Sequence, residues 1–229
     1  MMGRSHVLIA GAGYLALAAT ARDALGPPAP AQLAAGALCA GAASLLPDLD
    51  RPGSTIARAL GPVSDLLARL VSLIAGGHRR GTHSLLAWLA VSVGLGAALH
   101  SSDSSTVALI VCVLACALML RAITGAGAMA CAVLAFGVGV ALVAGVGHVD
   151  RWLPGAVLVG YGSHLVGDLV TVEGVPLLWP LSGRHQKVAL IGATDRWREH
   201  LVCMGAGALC AYLAVTLIAA PALAAAGSR

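Results

Sequence analysis

The chain has 229 residues, 59% of them apolar and only 10% charged, with a mean hydropathy of +0.88. A soluble domain is closer to half apolar and a quarter charged, so the composition excludes a water-solvated globule and points to a helical membrane protein. The net charge of +4 is no nucleic-acid signature; its placement carries more information than its size. With one Phe and three Tyr, the apolarity comes from Ala, Leu, Val and Gly. Small side chains of this kind let helices approach closely inside a bilayer.

A spanning helix needs about 20 mostly apolar residues. Seven stretches qualify, at about 6–22, 31–47, 83–100, 105–123, 126–147, 153–172 and 200–220. The first, with Arg4 ahead of it and small residues behind, imitates a signal peptide. His6 at its start argues for a retained span if that histidine is functional. Pro27, Pro28 and Pro30 separate the first two stretches. The connection 48–82 carries Ile56, Ala59, Leu60 and Val63, then Leu66, Leu67, Leu70, Val71 and Ile74, at helical spacing. Gly61 and Pro62 divide these runs, so two short amphipathic helices at the membrane surface are expected. Short polar turns follow at 100–105 and 148–151, and a longer polar connection at 175–199. Cys39, Cys112, Cys116, Cys131, Cys203 and Cys210 all lie in apolar runs and read as small buried hydrophobes. The expected fold is all-α: one domain over residues 1–229, a polytopic membrane bundle of about seven spans with short interfacial helices between spans two and three.

Lys and Arg concentrate on the cytoplasmic side of membrane proteins. With seven spans, eleven of the fourteen basic residues fall on the side of the N-terminus, including Arg51, Arg58, Arg69, Arg79 and Arg80. Only Arg22, Arg151 and Arg229 fall on the other. The N-terminus is therefore expected in the cytoplasm and the C-terminus outside.

The unusual polar residues sort onto that same side. His6 begins span one, Asp48 and Asp50 end span two, His78 and His83 begin span three, and His164 and Asp168 sit late in span six. The opposite side has His100, Asp103, His148 and Asp150, in short turns without such grouping. His164 and Asp168, in GSHLVGDLV, are four apart and point the same way on a helix. Ionisable groups within an apolar span are costly and usually functional. A His–Asp hydrogen bond bracing the bundle is the plain alternative; a divalent cation better explains the ionisable neighbours. In PDLD the carboxylates at i and i+2 reach one cation if the backbone turns, although such a segment is equally a capped helix end. In HRRGTHS, Gly81 permits a turn between His78 and His83, and Thr82 is a candidate cap. Either histidine has the alternative of a satisfied core residue, and His6 that of a polar residue meeting water. A mixed His and carboxylate set suits zinc, and also manganese or iron. Seven potential ligands exceed one tetrahedral zinc site, so two or more metals are expected. Arg79 and Arg80 suit a substrate phosphate, or equally anionic lipid.

These motifs resemble the YdjM-like family of membrane-bound, metal-dependent hydrolases, known as LexA-regulated, which share an early His, PDxD, an HRG–THS segment and a late H-x3-D. They stand here at His6, at Asp48 and Asp50, from His78 to Ser84, and at His164 and Asp168. Thr171, Gly174 and Pro180 resemble the family's next short motif. One extra arginine, making HRRGTH, departs from the pattern and alters the spacing from His78 to His83. Type-2 phosphatidic acid phosphatases also end in H-x3-D, but they need an arginine where this chain has Leu158, and a PSGH that is absent. The family's similarity to zinc-dependent phospholipase C and P1-type nucleases implies phosphodiester hydrolysis, with a membrane lipid or similar phosphoester as substrate. Asp50 or Asp168 would then be the carboxylate orienting the water. A transporter or a non-catalytic metal-binding protein is the alternative, because buried His–Asp pairs also relay protons.

Overall fold

The computed structural model describes residues 1–21, 28–101, 104–124 and 127–227. Arg22, Pro27, Asp103 and Arg229, used above, lie outside them. The described residues are helical, with no strand among them beyond two isolated bridges. The helices are α1 (Gly3–Thr20), α2 (Pro30–Ala43), α3 (Pro62–Ala75), α4 (Leu85–Leu99), α5 (Ser104–Thr124), α6 (Ala128–Val146), α7 (Val149–Leu169) and α8 (Trp197–Ala214). A π-turn at Val215–Ala219 continues α8 into α9 (Ala220–Gly227).

Four segments are long and apolar enough to cross a membrane: Pro30–Asp50, Ser104–Arg121, Met129–Val146 and Trp197–Ala224. Leu85–Leu99 is a shorter apolar helix. The other two expected spans form as α1 and α7, and these are the helices that carry Arg4 and His6, and Asp150, Arg151, His164 and Asp168. Helices thus stand where all seven spans are expected, while length and hydropathy alone identify four.

The connection after α2 differs from expectation. One surface helix forms, not two: residues 51–61 are a chain of turns, and only α3 is helical. Pro52 and Gly53 (φ +84°) turn the chain, and Gly61 (φ +66°) prevents the first run from joining the second. Ser64 fixes the junction: its hydroxyl donates to the Ala57 carbonyl (2.8 Å) and accepts from the Leu60 amide (2.9 Å). α3 begins at Pro62, where a missing N–H costs nothing, and ends at Gly76 in the left-handed region. Val63, Leu66, Leu70, Leu73 and Ile74 remain exposed on it, a face suited to the membrane interface.

Packing centres on α1, α2 and α7, whose contacts run through small residues. Leu15, Ala40, Cys39, Leu153, Ala156 and Val157 are fully buried there. α5 and α6 pair beside this core, and α8 lies on α1, with Gly11 near Cys210 and Gly207 near Leu8. A Cβ at Gly160 on α7 would lie 2.2 Å from the Ala40 carbonyl oxygen on α2 and 2.8 Å from Ala43 Cβ. At Gly155, one and a half turns earlier, it would meet nothing within 4 Å. The cysteines are all free, four of them buried, as their apolar setting suggests.

This contrast is testable. Gly160→Ala should destabilise the detergent-solubilised protein by about 1–3 kcal/mol, the usual cost of overpacking, while Gly155→Ala should leave the melting temperature unchanged or raise it. Equal effects would mean that α2 and α7 do not approach this closely.

Candidate metal centre

One end of the bundle gathers the polar residues, because the ends of five elements meet there. α2 stops at Ala43, and Pro47 opens a tight 3-10 turn, Pro47–Asp50, that carries both carboxylates of PDLD. A second 3-10 turn, Gly81–His83, delivers His83 just ahead of α4. Ser84 caps α4 by accepting from the Ala87 amide (3.1 Å), and its hydroxyl donates to the Gly81 carbonyl (2.6 Å), which fixes that turn. α7 brings His164 and Asp168 on its last two turns, and α1 brings His6 on its first.

The hydrogen bonds assign the histidine tautomers. His164 Nδ1 lies 2.6 Å from the Ser44 carbonyl oxygen, which only accepts, so Nδ1 carries the proton and Nε2 is bare. Thr82 donates its one hydroxyl proton to Asp50 Oδ2 (2.5 Å). Its oxygen therefore accepts from His83 Nδ1 at 3.0 Å, and His83 Nε2 is bare as well. The two bare Nε2 atoms face each other at 3.3 Å. Asp168 Oδ2 lies 3.6 Å from His164 Nε2 and 3.9 Å from His83 Nε2; Asp48 Oδ1 lies 4.0 and 3.9 Å from the same two atoms. Ligands about 2.0–2.1 Å from one ion in a tetrahedron stand about 3.4 Å apart. The four atoms fit such a cage, slightly opened on the Asp48 side. His83, His164 and Asp168 are buried, whereas the Asp48 side chain is 22% exposed.

The remaining candidates surround this set. Asp50 stands behind His83, Oδ2 3.4 Å from His83 Nδ1. It also accepts from the Arg79 amide (3.0 Å), and its Oδ1 meets His78 Nδ1 at 2.8 Å. Carboxylate, imidazole and open Nε2 thus line up as they do behind metal-ligating histidines. His78 is one-third exposed, and with Asp48 and His83 it forms a group whose ligand atoms lie within 4.8 Å of one another. His6, His164 and Asp168 form another such group. The His6 ring stacks on His164 (3.8 Å between centroids), and its Nε2 lies 3.4 Å from Asp168 Oδ1. Although His6 is 1% exposed, neither of its ring nitrogens has a hydrogen-bond partner. A Cβ at Gly167 would press on that ring at 3.0 Å. Burial pulls the His83 pKa below its ordinary value, against the opposing pull of the Asp50 hydrogen bond, and favours the neutral ring that ligation needs.

The two arginines part company. Arg79 adopts a left-handed backbone (φ +58°) and turns its guanidinium inward, to Asp168 Oδ2 (2.9 Å) and Glu173 Oε2 (2.6 Å). Arg80 is exposed and runs past Gly76. The 170–192 segment folds over the site. Thr171 donates to the Asp168 carbonyl (2.8 Å), and Leu85 N to the Leu177 carbonyl (3.0 Å). A Cβ at Gly174 (φ +67°) would lie 2.3 Å from the Gln186 carbonyl oxygen. Tyr161 donates to the Thr82 carbonyl.

Glu199 was not anticipated. It is buried in the first turn of α8 and accepts from the Met2 amide (2.6 Å), the Ser5 hydroxyl (2.7 Å) and the Asp195 amide (2.8 Å), which pins the start of α1. The Met1 amino group meets Asp168 Oδ1 at 2.5 Å. A carboxylate opening an apolar segment on the histidine-bearing side was the available signal.

A model of the YdjM inner membrane protein family matches residues 1–226. The inner membrane protein YdjM of Escherichia coli (strain K12) is 31% identical over 160 residues, covering 70% of this chain and 57% of that protein. The protein of the same name from Shigella flexneri has the same identity and coverage. The match therefore spans little more than half the length of these curated relatives. No solved structure matches the chain.

The geometry separates ligands from supports. His83→Gln or His164→Gln should abolish stoichiometric metal in the purified protein, measured by plasma mass spectrometry. Asp50→Asn should weaken affinity by about 10–100-fold, the usual cost of losing a carboxylate behind a ligating histidine. Full metal content in the histidine variants would reduce the cluster to a hydrogen-bonded brace.

Proposed function

The chain belongs to the YdjM inner membrane protein family, and on that premise we propose that it is an integral membrane, metal-dependent hydrolase acting on a phosphoester at the cytoplasmic face. The observation that supports this most is the pair of bare Nε2 atoms, 3.3 Å apart between two carboxylates. Lone pairs so placed repel, and a cation among the four groups removes the conflict. A shared proton would serve only the two nitrogens. The orphaned nitrogens of His6, next to Asp168 Oδ1, offer a place for a second ion. The His and carboxylate set suits zinc, with manganese or iron as alternatives.

A divalent ion held there would polarise a phosphoryl oxygen and make water acidic enough to attack phosphorus. The side chains have distinct parts. The Ser44 carbonyl and Asp50 hold His164 and His83 in the tautomers that expose Nε2. Asp50, with both oxygens engaged, acts through His83. Arg79 orients Asp168. Asp48, on the side open to solvent, is placed to take the proton from the attacking water, a part that sequence reasoning gave to Asp50 or Asp168. Transport is less well supported: the buried carboxylates and histidines among the described residues all lie at one end of the bundle, with no polar path toward the other.

Turnover of a phospholipid panel by the purified protein, with and without chelation, tests the reading. Chelation should abolish hydrolysis. His164→Gln and Asp168→Asn should each lower turnover by about a hundredfold or more, and the double variant should do little further harm, because the two act as one unit. Near wild-type turnover with a lowered melting temperature would mean that the pair only braces the bundle.

The cytoplasmic placement, with the N-terminus inside and the C-terminus outside, rests on the arginines around the site. A cysteine introduced at Ser54 should react with an impermeant reagent only from the cytoplasmic side; reaction from the outside would invert the topology.

A further inference from the structure

Arg79 is committed to Asp168 and Glu173, and Arg80 lies exposed beside Gly76. Neither guanidinium is free and aimed at the site. Arg51 and Arg58 differ: among the described residues neither pairs with a carboxylate. Both line a cavity of about 370 Å³ whose wall includes Asp48, the solvent-facing member of the proposed ligand set. Their positions are built in. The Asp48 carbonyl accepts from the Arg51 amide (3.1 Å) and the Ser54 hydroxyl (2.9 Å), and the Ser54 carbonyl accepts from the Arg58 amide (3.2 Å). One short turn therefore carries a ligand and two cations to the same opening.

Arg58 also lines a second, larger cavity of about 740 Å³, which shares Leu45 and Thr55 with the first. Val7, Leu8 and Met119 give this cavity an apolar side, and Arg4 stands at its polar side. The two spaces form one amphiphilic cleft, with a cationic head region next to Asp48 and an apolar extension between α1 and α5.

We propose that this cleft is the substrate subsite, that Arg51 and Arg58 bind a phosphomonoester head group, and that the substrate is a lipid of that class. The proposal rests on the hydrolase reading. Guanidinium groups pair with phosphate oxygens through directed, charge-assisted hydrogen bonds. A dianionic monoester complements two arginines faced by a single carboxylate. A zwitterionic head group would bring its ammonium against them.

Calorimetry on the full-length, metal-loaded protein in detergent tests this. The probes are dihexanoyl phosphatidate, dihexanoyl phosphatidylcholine and inorganic phosphate. The wild type should bind the phosphatidate at least about tenfold more tightly than either other probe. The double variant Arg51→Gln/Arg58→Gln should lose that preference while keeping its metal and melting temperature; if it does not fold, the two single variants should each lose part of it. Arg69→Gln, which breaks only the exposed pair with Asp65 on α3, should behave as wild type. Equal affinity for the two lipids, or a preference that survives the arginine substitutions, overturns the proposal. Inorganic phosphate binding as tightly as the phosphatidate overturns the lipid assignment. Arginine-dependent binding without turnover of any lipid supports the subsite and sinks the hydrolase reading; turnover of phosphatidate indifferent to both arginines sinks the subsite and spares the hydrolase reading.

Discussion

Two bare imidazole nitrogens held 3.3 Å apart, between carboxylates and out of water, make a conflict that the fold itself creates. His164 cannot relieve it by changing tautomer, because its Nδ1 proton is held by a backbone carbonyl. His83 cannot either, because Thr82 has already given its proton to Asp50. Removing one charge or lone pair from a buried polar cluster usually leaves the others worse off. A cation at the centre satisfies both rings and both carboxylates together. The surrounding contacts are best understood as holding the four groups in that relation.

Those contacts depend in turn on close helix approach. α7 can place His164 against the Ser44 carbonyl only because Gly160 lets it lie on Ala40, one turn of α2 earlier. Gly167 leaves room for His6 to stack on His164. The abundance of Ala and Gly is thus tied to the chemistry as well as to membrane packing. Glu199 closes the arrangement from the other side, since three donors on and around the start of α1 converge on it.

The parts legible in the sequence were those set by periodicity and charge type. Apolar runs located the helices, and the asymmetric placement of His and Asp pointed to one end of the bundle. The H-x3-D spacing put His164 and Asp168 on one face, where they are found. What sequence could not supply was the ranking among the polar residues. Asp48 and Asp50 look equivalent in PDLD, yet a single 3-10 turn sends Asp48 Oδ1 toward the Nε2 atoms and Asp50 behind His83. Arg79 and Arg80 look equivalent too, until a left-handed backbone at Arg79 turns one inward and leaves the other outside. The parts played by the Ser44 and Thr82 carbonyls were invisible, since any residue offers a carbonyl. The second surface helix failed because Pro52, Gly53 and Gly61 outweigh a short apolar periodicity.

The position of the cluster along the bundle also bears on what it can act upon. Ionisable groups near the bilayer centre are expensive, and the cost falls toward the interface, where water and polar loops supply partners. Here the groups sit on the first or last turns of their helices, roofed by the 170–192 segment and flanked by α3 with its exposed leucines. Asp48, the most exposed of the four proposed ligands, faces the cavity that Arg51 and Arg58 also line. A centre at this depth is reachable by a group anchored in the membrane whose charged end lies at the surface. A site at the bundle's middle would demand that the charged end be dragged into hydrocarbon, and a site on a loop tip would leave the acyl portion unused. The interfacial placement avoids both costs, and that is the physical reason to look for the substrate among lipids first.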